Sequence, residues 1–243
     1  MDLPLNFGGQ LIRPDVRRLS DMRELLYDRS FAESAEDMDL YYMYRDLYLS
    51  RKDQEKIREA GLRYDITIIP PLMLGKEYVK TAGHYHPPAD GGGITYPEVY
   101  EVLEGEAHYL LQRPEGDKIV DVVLITAEEG EKVLIPPGYG HITINPSNKR
   151  LKMANWVARG FSSIYDPIRK RRGGAYYETV DGFVKNDAYG EIPPLRVLRP
   201  KDLPIFGLVK AKEMYGLVRE NIKLLEFLTR PWEFVEVFEK VLE

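Results

Sequence analysis

Cysteine is absent from this 243-residue chain, and histidine is scarce, with four in all. The first absence excludes disulfides, thiolate metal sites and cysteine nucleophiles. A basic excess is also missing. Lys and Arg number 34 against 39 Asp and Glu, a net charge of -5, and that balance argues against a nucleic-acid partner. No stretch approaches the roughly 20 apolar residues of a membrane span. The N-terminus, MDLPLNFGGQL, lacks a basic region followed by an apolar run, so no secretory signal is expected and the default is a cytoplasmic protein. The one basic cluster, Arg169-Lys170-Arg171-Arg172, is short and runs into Gly173-Gly174. A solvated turn is expected there.

What is present is 44% hydrophobic residues, enough for one sizeable core plus an appendage. Residues 1–19, with Pro4, Gly8, Gly9 and Pro14, read as an extended arm. A helix is expected from Ser20 or Asp21, with Asp21 and Glu24 at capping-box spacing and Met22, Leu25 and Leu26 on its apolar face. LYYMYRDLYL (40–49) suits a strand, and RKDQEKIREAGL (51–62) a helix ending at Gly61. From Tyr64 the texture changes to many short strands punctuated by Gly, Pro and Asn turns, from YDITIIP through KEYVKT, EVYEVLEG, EAHYLLQR, IVDVVLIT, KVLIPP and HITIN to LKMANWV. That pattern predicts an all-β antiparallel sandwich or barrel. AYYETV and GFVKN suit a further hairpin around Asp181-Gly182. EIPPLRVLRPKDLP (191–204), with four prolines, reads as a linker. Beyond it Met214, Leu217, Val218, Leu225 and Leu228 fall on one helical stripe, and Pro231 suits the start of a second helix carrying Trp232, Val235, Phe238 and Leu242.

Three of the four histidines fall in two motifs. His84 and His86 stand one residue apart, so on a strand they point to the same side. Glu98 can be returned beside them by a neighbouring strand. His141 follows the tight turn PPGYG. Three imidazoles and a carboxylate form a mixed N/O set suited to Fe²⁺, Mn²⁺, Ni²⁺ or Zn²⁺. We expect one divalent ion per subunit, Fe²⁺ first. Affinity should fall as pH drops through a free-histidine pKa of ~6.5. His108 is expected to be structural or at the surface, and Glu101 and Glu104 to be solvated strand carboxylates.

These stretches resemble the paired motifs of the cupin superfamily, whose fold is an antiparallel jelly roll. Glu98, VYEVLE and Gly105 match the end of the first motif, and Gly130, Pro136, Gly138, His141 and Asn145 match the second throughout. Two spacings depart from the pattern: eight residues rather than five separate Gly75 from His84, and eleven separate His86 from Glu98. VRRLSDM (16–22), TAGHYHP (81–87), EVYEVLEGEAHYLLQ (98–112) and PEGD (114–117) further resemble the archaeal cupin-type phosphoglucose isomerases over residues 14–185. The resemblance implies a homodimer that interconverts glucose 6-phosphate and fructose 6-phosphate, with metal ligands at His84, His86, Glu98 and His141. It places substrate contacts at Tyr41, Thr67, Thr81, Gly83 and Tyr100, with Thr81 and the Gly83 backbone near the phosphate. Together with the proline content and the apolar stripe of the tail, this divides the chain into a cupin-type isomerase domain over 1–190, a proline-rich linker over 191–204 and a helical extension over 205–243.

Where that family has a tyrosine near the end of the MANWV strand and a histidine beyond, this chain has Trp156-Val157 and then Ser163. Trp156 and Tyr165 are the candidates to stand in. The implied chemistry is aldose–ketose isomerisation through a cis-enediol, with Glu98 as candidate base and Tyr100 assisting at a hydroxyl, or a metal-assisted hydride shift. Two other classes fit the ligand set, a cupin dioxygenase and a non-catalytic sugar-phosphate-binding protein.

Overall fold

The computed structural model describes residues 3–91 and 93–243; Met1, Asp2 and Gly92, the last within the expected Gly-rich loop, lie outside the described residues. The strands are β1 (Leu5–Phe7), β2 (Gln10–Ile12), β3 (Asp15–Arg18), β4 (Asp39–Tyr44), β5 (Leu62–Ile69), β6 (Met73–Leu74), β7 (Glu77–Tyr78), β8 (Glu98–Glu104), β9 (Glu106–Glu115), β10 (Lys118–Glu128), β11 (Lys132–Ile135), β12 (Gly140–Ile144), β13 (Leu151–Ala158), β14 (Tyr176–Thr179), β15 (Gly182–Lys185) and β16 (Arg196–Leu198). A large sheet has the order β11-β8-β13-β5-β4-β3, and a smaller one the order β12-β9-β10-β16. They form the expected antiparallel sandwich, and among the described residues only β16 joins its neighbour in parallel.

Alternation along the strands builds the sandwich. From β8, Tyr100 and Val102 point inward and meet Tyr109 and Leu111 of β9 and Val123 and Ile125 of β10. Val99 of β8 points the other way, into a second core with Tyr64 of β5, Trp156 of β13 and the C-terminal residues Met214, Tyr215, Leu225 and Phe227. The outer face of the small sheet is covered too, where Leu110, Leu124 and Ile142 meet Ile168, Ala175, Tyr176 and Ile192. Both sheets are buried on both faces, so their strands alternate poorly between apolar and polar residues.

Several expectations are corrected. The N-terminal arm is a β1–β2 hairpin followed by β3, which pairs with β4 at the edge of the large sheet. In place of a helix from Ser20 there are two 3-10 turns, Leu19–Asp21 and Arg23–Leu25. Asp21 accepts from the Arg18 amide at 2.9 Å, and Asp37 accepts from the Ser20 amide at 2.8 Å. The helix comes later, at Arg29–Ser34, where Asp28 accepts from the Phe31 amide. Met22, Leu25 and Leu26 are nonetheless buried as expected. The 40–49 strand ends at Tyr44, ahead of the left-handed Asp46 (φ 57°). The Arg51–Glu59 helix forms as read, capped by Ser50 and followed by Gly61 at φ 67°.

The proline-rich 191–204 segment is more than a linker, since its centre is β16, held by an Arg196–Asp121 ion pair at 2.8 Å. The C-terminal stripe is buried, but on short 3-10 turns and a four-residue helix, Leu217–Glu220, rather than one long helix. Asn221 interrupts it with extended backbone and a side chain that accepts from the Lys223 amide. Glu101 is not solvated; it is 3% exposed and faces the C-terminal segment. Glu104 is exposed and pairs with Arg150 at 2.6 Å.

Candidate metal and substrate site

The segment from Val79 to His84 runs antiparallel along β12, the edge strand of the small sheet. Thr81 N donates to the Thr143 carbonyl at 2.8 Å, and Thr143 N donates to Thr81 Oγ1 at 2.9 Å. His84 and His141 then exchange backbone hydrogen bonds at 3.2 and 3.0 Å, so the two histidines sit directly opposite each other. Gly83 makes this approach possible. Its φ is 73°, and a Cβ there would run into the Ile142 side chain. Alternation then sends Tyr85 outward to accept from Gln112 Nε2 at 2.6 Å, while His84 and His86 share the inner side.

The long gap before Glu98 does not displace it. The loop closes on itself through Ala89 N to the Ile94 carbonyl at 2.7 Å. Tyr96 stacks on Phe161 at 4.8 Å, and its carbonyl accepts from His86 Nδ1 at 2.9 Å. That bond fixes the His86 tautomer and leaves Nε2 free as a ligand atom. Glu98 opens β8 between Ile135 of β11 and Val157 of β13. Its Oε2 lies 3.4 Å from His86 Nε2 and 3.2 Å from His141 Nε2. His84 Nε2 lies 3.2 Å from His86 Nε2. The ligand atoms of the four residues all fall within 4.8 Å of one another.

Glu98 Oε2 is buried with no hydrogen-bond partner, and Oε1 accepts from Asn155 Nδ2 at 2.7 Å. A buried carboxylate oxygen left unpaired among three imidazole nitrogens is costly unless a cation completes it. The donor set therefore fits a divalent metal.

Electrostatics agree. Burial raises the Glu98 carboxyl, but His141 and His86 outweigh it and hold its pKa well below the usual carboxylate value. Burial, then the neighbouring His141 and His86, push His84 well below 6.5. His141 is lowered chiefly by burial. Tyr100 OH lies 3.1 Å from His141 Nε2, and burial followed by the Glu98 charge pushes its pKa well above 10. The lowered pKa values of His84 and His141 favour the neutral imidazole, the form that binds metal.

One cavity opens beside the cluster, and it gathers every expected site residue: Tyr41, Thr67, Thr81, Gly83, His84, His86, Glu98, Tyr100 and His141. Tyr41 OH accepts from the Ala82 amide at 3.2 Å. Arg45, Arg63, Asp65, Asn155 and Phe161 also line it and were not singled out from sequence. Arg63 Nε sits 2.8 Å from Asp65. Trp156 is corrected as a stand-in. It lies on the outer face, fully buried, with Nε1 donating to the Met214 carbonyl at 3.2 Å. Tyr165 does line the cavity, its ring centroid 5.4 Å from that of His84. His108 is away from the cluster, where Nδ1 meets Glu178 at 2.8 Å.

A double-sheet antiparallel sandwich with three histidines and a glutamate at one mouth defines a protein of the cupin class. Within that class, residues 16–190 match the model of the glucose-6-phosphate isomerase (GPI) family, and the chain belongs to that family. It is 37% identical over 132 residues to the glucose-6-phosphate isomerase of Thermococcus gammatolerans, covering 54% of this chain and 61% of that protein. It is 36% identical over 136 residues to that of Pyrococcus furiosus, covering 55% and 64%. The matches thus span less than two thirds of these relatives' lengths. Among solved structures, oxalate decarboxylase from Bacillus subtilis at pH 4.6 aligns with a TM-score of 0.37 and 12% identity, covering 51% of this chain and 27% of that one. Oxalate oxidase in complex with glycolate aligns with a TM-score of 0.33 and 18% identity, covering 44% and 47%.

Proposed function

We propose that this chain is a metal-dependent isomerase interconverting glucose 6-phosphate and fructose 6-phosphate. The observation that carries the reading is the unpaired, buried Glu98 Oε2 among three imidazoles, at the edge of a cavity lined by Thr67, Thr81 and Gly83. Family membership and the isomerases it resembles support the reaction.

A divalent ion held by His84, His86, Glu98 and His141, Fe²⁺ first with Ni²⁺, Mn²⁺ or Zn²⁺ as alternatives, would supply Lewis-acid polarisation of the sugar oxygens. The Thr67, Thr81 and Tyr41 hydroxyls and the Gly83 amide hold the phosphate. The reacting carbons then sit beside Glu98 and Tyr100. In the enediol route Glu98 takes the proton from C2 of the aldose and returns it to C1, a second proton passes from O2 to O1, and Tyr100 hydrogen-bonds one of these oxygens. A carboxylate that would also ligate the ion is a weakened base. This favours the rival route, in which hydrogen moves between the two carbons without passing through Glu98.

Deuterium from solvent D₂O separates the routes, being incorporated at the transferred position in the first and absent in the second. The reading includes a homodimer acting in the cytoplasm. Among the described residues no helix is long and apolar enough to cross a membrane. The test of the reaction is a coupled assay of fructose 6-phosphate to glucose 6-phosphate on metal-stripped and metal-restored protein. Activity that needs the metal and is lost in His84→Ala supports it. Oxygen consumption with a candidate substrate and no isomerisation would point to a dioxygenase, and tight sugar-phosphate binding without turnover to a binding protein.

A further inference from the structure

The strands that carry Glu98 and Asn155 are tied together from behind. On the outer face of the large sheet, Glu101 of β8 accepts from the Met214 amide at 2.8 Å. Trp156 of β13 donates to the carbonyl of that same Met214 at 3.2 Å. One residue thus bonds through both of its backbone polar groups to two adjacent strands. On the inner face of the same strand pair, Asn155 donates to Glu98.

The pair has a reason to need such a tie. Its register shifts between Lys152 and Met153, which pair with Glu104 and Val102 and leave Leu103 as an extra residue. Below that bulge, Asn155 faces Tyr100 and Val157 faces Glu98. A one-residue slip there would turn Asn155 away from Glu98.

The C-terminal segment is a fixed abutment. Tyr215 OH accepts from the Leu49 amide at 2.7 Å and donates to Asp53 at 3.1 Å, and Arg219 pairs with Asp53 at 2.9 Å. The Tyr215 ring also packs against Tyr64 at 4.9 Å. None of these anchors lies on β8 or β13. Glu101 itself is buried with Lys132 at 3.0 Å in an otherwise apolar face. A buried ion pair is a poor choice for stability alone, since an apolar pair of similar volume packs as well or better.

We propose that Met214–Arg219, which lies outside the span matched by the family model, is a positioning element. Its Met214 peptide clips β8 to β13 and so holds Glu98 against Asn155 at the ligand cluster. Trp156 and Glu101 are then positioning residues that act through the sheet. The activity arm of the test rests on the isomerase reading above, whereas the metal arm does not.

The decisive comparison uses the full chain, metal-stripped and titrated with Co²⁺ alone. Trp156→Phe removes the indole N–H and keeps an aromatic ring. Glu101→Gln removes the charge. Phe227→Leu is the control, because its buried ring meets Phe206 and Phe238 in the same outer core and takes no part in the Met214 hydrogen bonds. Disturbing groups that orient ligands typically costs 10- to 100-fold in metal affinity, and one layer further out we expect about three- to tenfold for Trp156→Phe and a smaller loss, about twofold, for Glu101→Gln, whose amide oxygen still accepts from Met214 but more weakly than the carboxylate. Isomerase kcat falls with it while KM stays within about twofold. Phe227→Leu lowers Tm and leaves Co²⁺ affinity at the wild-type value. Wild-type affinity in both clip variants, or affinity falling in step with Tm across all three, overturns the proposal. The affinity comparison decides the clip even if the wild type proves not to isomerise.

Discussion

Asn155→Ala is the sharpest probe of the ligand cluster. Asn155 is 5% exposed, and its Nδ2 donates at 2.7 Å to Glu98 Oε1, the oxygen turned away from the histidines. The bond orients a carboxylate that is itself 4% exposed, and so aims Oε2 at the imidazole nitrogens. A hydrogen bond to a charged group contributes about 1.5–3 kcal/mol. At about 1.4 kcal/mol per decade, losing it weakens metal binding roughly 10- to 150-fold, in line with the 10- to 100-fold typical of groups that orient ligands. The lower end applies if water from the adjoining cavity takes the vacated place. The assay is calorimetric titration of metal-stripped protein with Mn²⁺ or Co²⁺ at neutral pH. An unchanged Kd in Asn155→Ala would refute the reasoning that this bond aims the glutamate.

Other outcomes follow from the same geometry. Gly83→Ala should destabilise the fold by about 1–3 kcal/mol from the left-handed backbone alone, with more from the collision with Ile142, read as a lower urea midpoint. Lys80 and Glu77 form a buried ion pair, supplemented by Lys80 Nζ donating to the Leu25 carbonyl and the Tyr27 amide donating to Glu77. Lys80→Met strands the Glu77 charge and should cost about 3–5 kcal/mol in chemical denaturation, and much less when combined with Glu77→Gln. Metal-free protein should lose stability on acidification. The lowered pKa of His84 and His141 means that the unfolded chain takes up protons first as pH falls through ~6.5, and the lowered Glu98 adds a loss of the same sign at lower pH. Urea midpoints between pH 8 and 5 should fall, less steeply in His84→Gln.

The clustering of His84, His86, Glu98 and His141 was legible because their positions depend on local geometry. Alternation puts His84 and His86 on one side, and the PPGYG turn fixes His141. The rest of the site was set by distant pairing. Asn155 faces Glu98 only because β13 meets β8 in the register left by the bulge at Leu103, and the same parity sends Trp156 to the far face. The Tyr96 carbonyl that orients His86 is backbone and leaves no side-chain signal. Glu101 reads as solvated because a strand's outward face is polar only when nothing covers it, and here the C-terminal segment does. That segment's stripe reported burial correctly, but 3-10 turns can bury the same residues, and periodicity did not separate them from a longer helix.

The most direct test of the central claim is the coupled isomerase assay on metal-stripped protein before and after restoring a single divalent ion. The account predicts little turnover of fructose 6-phosphate in the stripped protein, recovery at one equivalent of metal per subunit, and no recovery in His84→Ala or Glu98→Gln. Full turnover in the stripped protein, or in either variant, would contradict it.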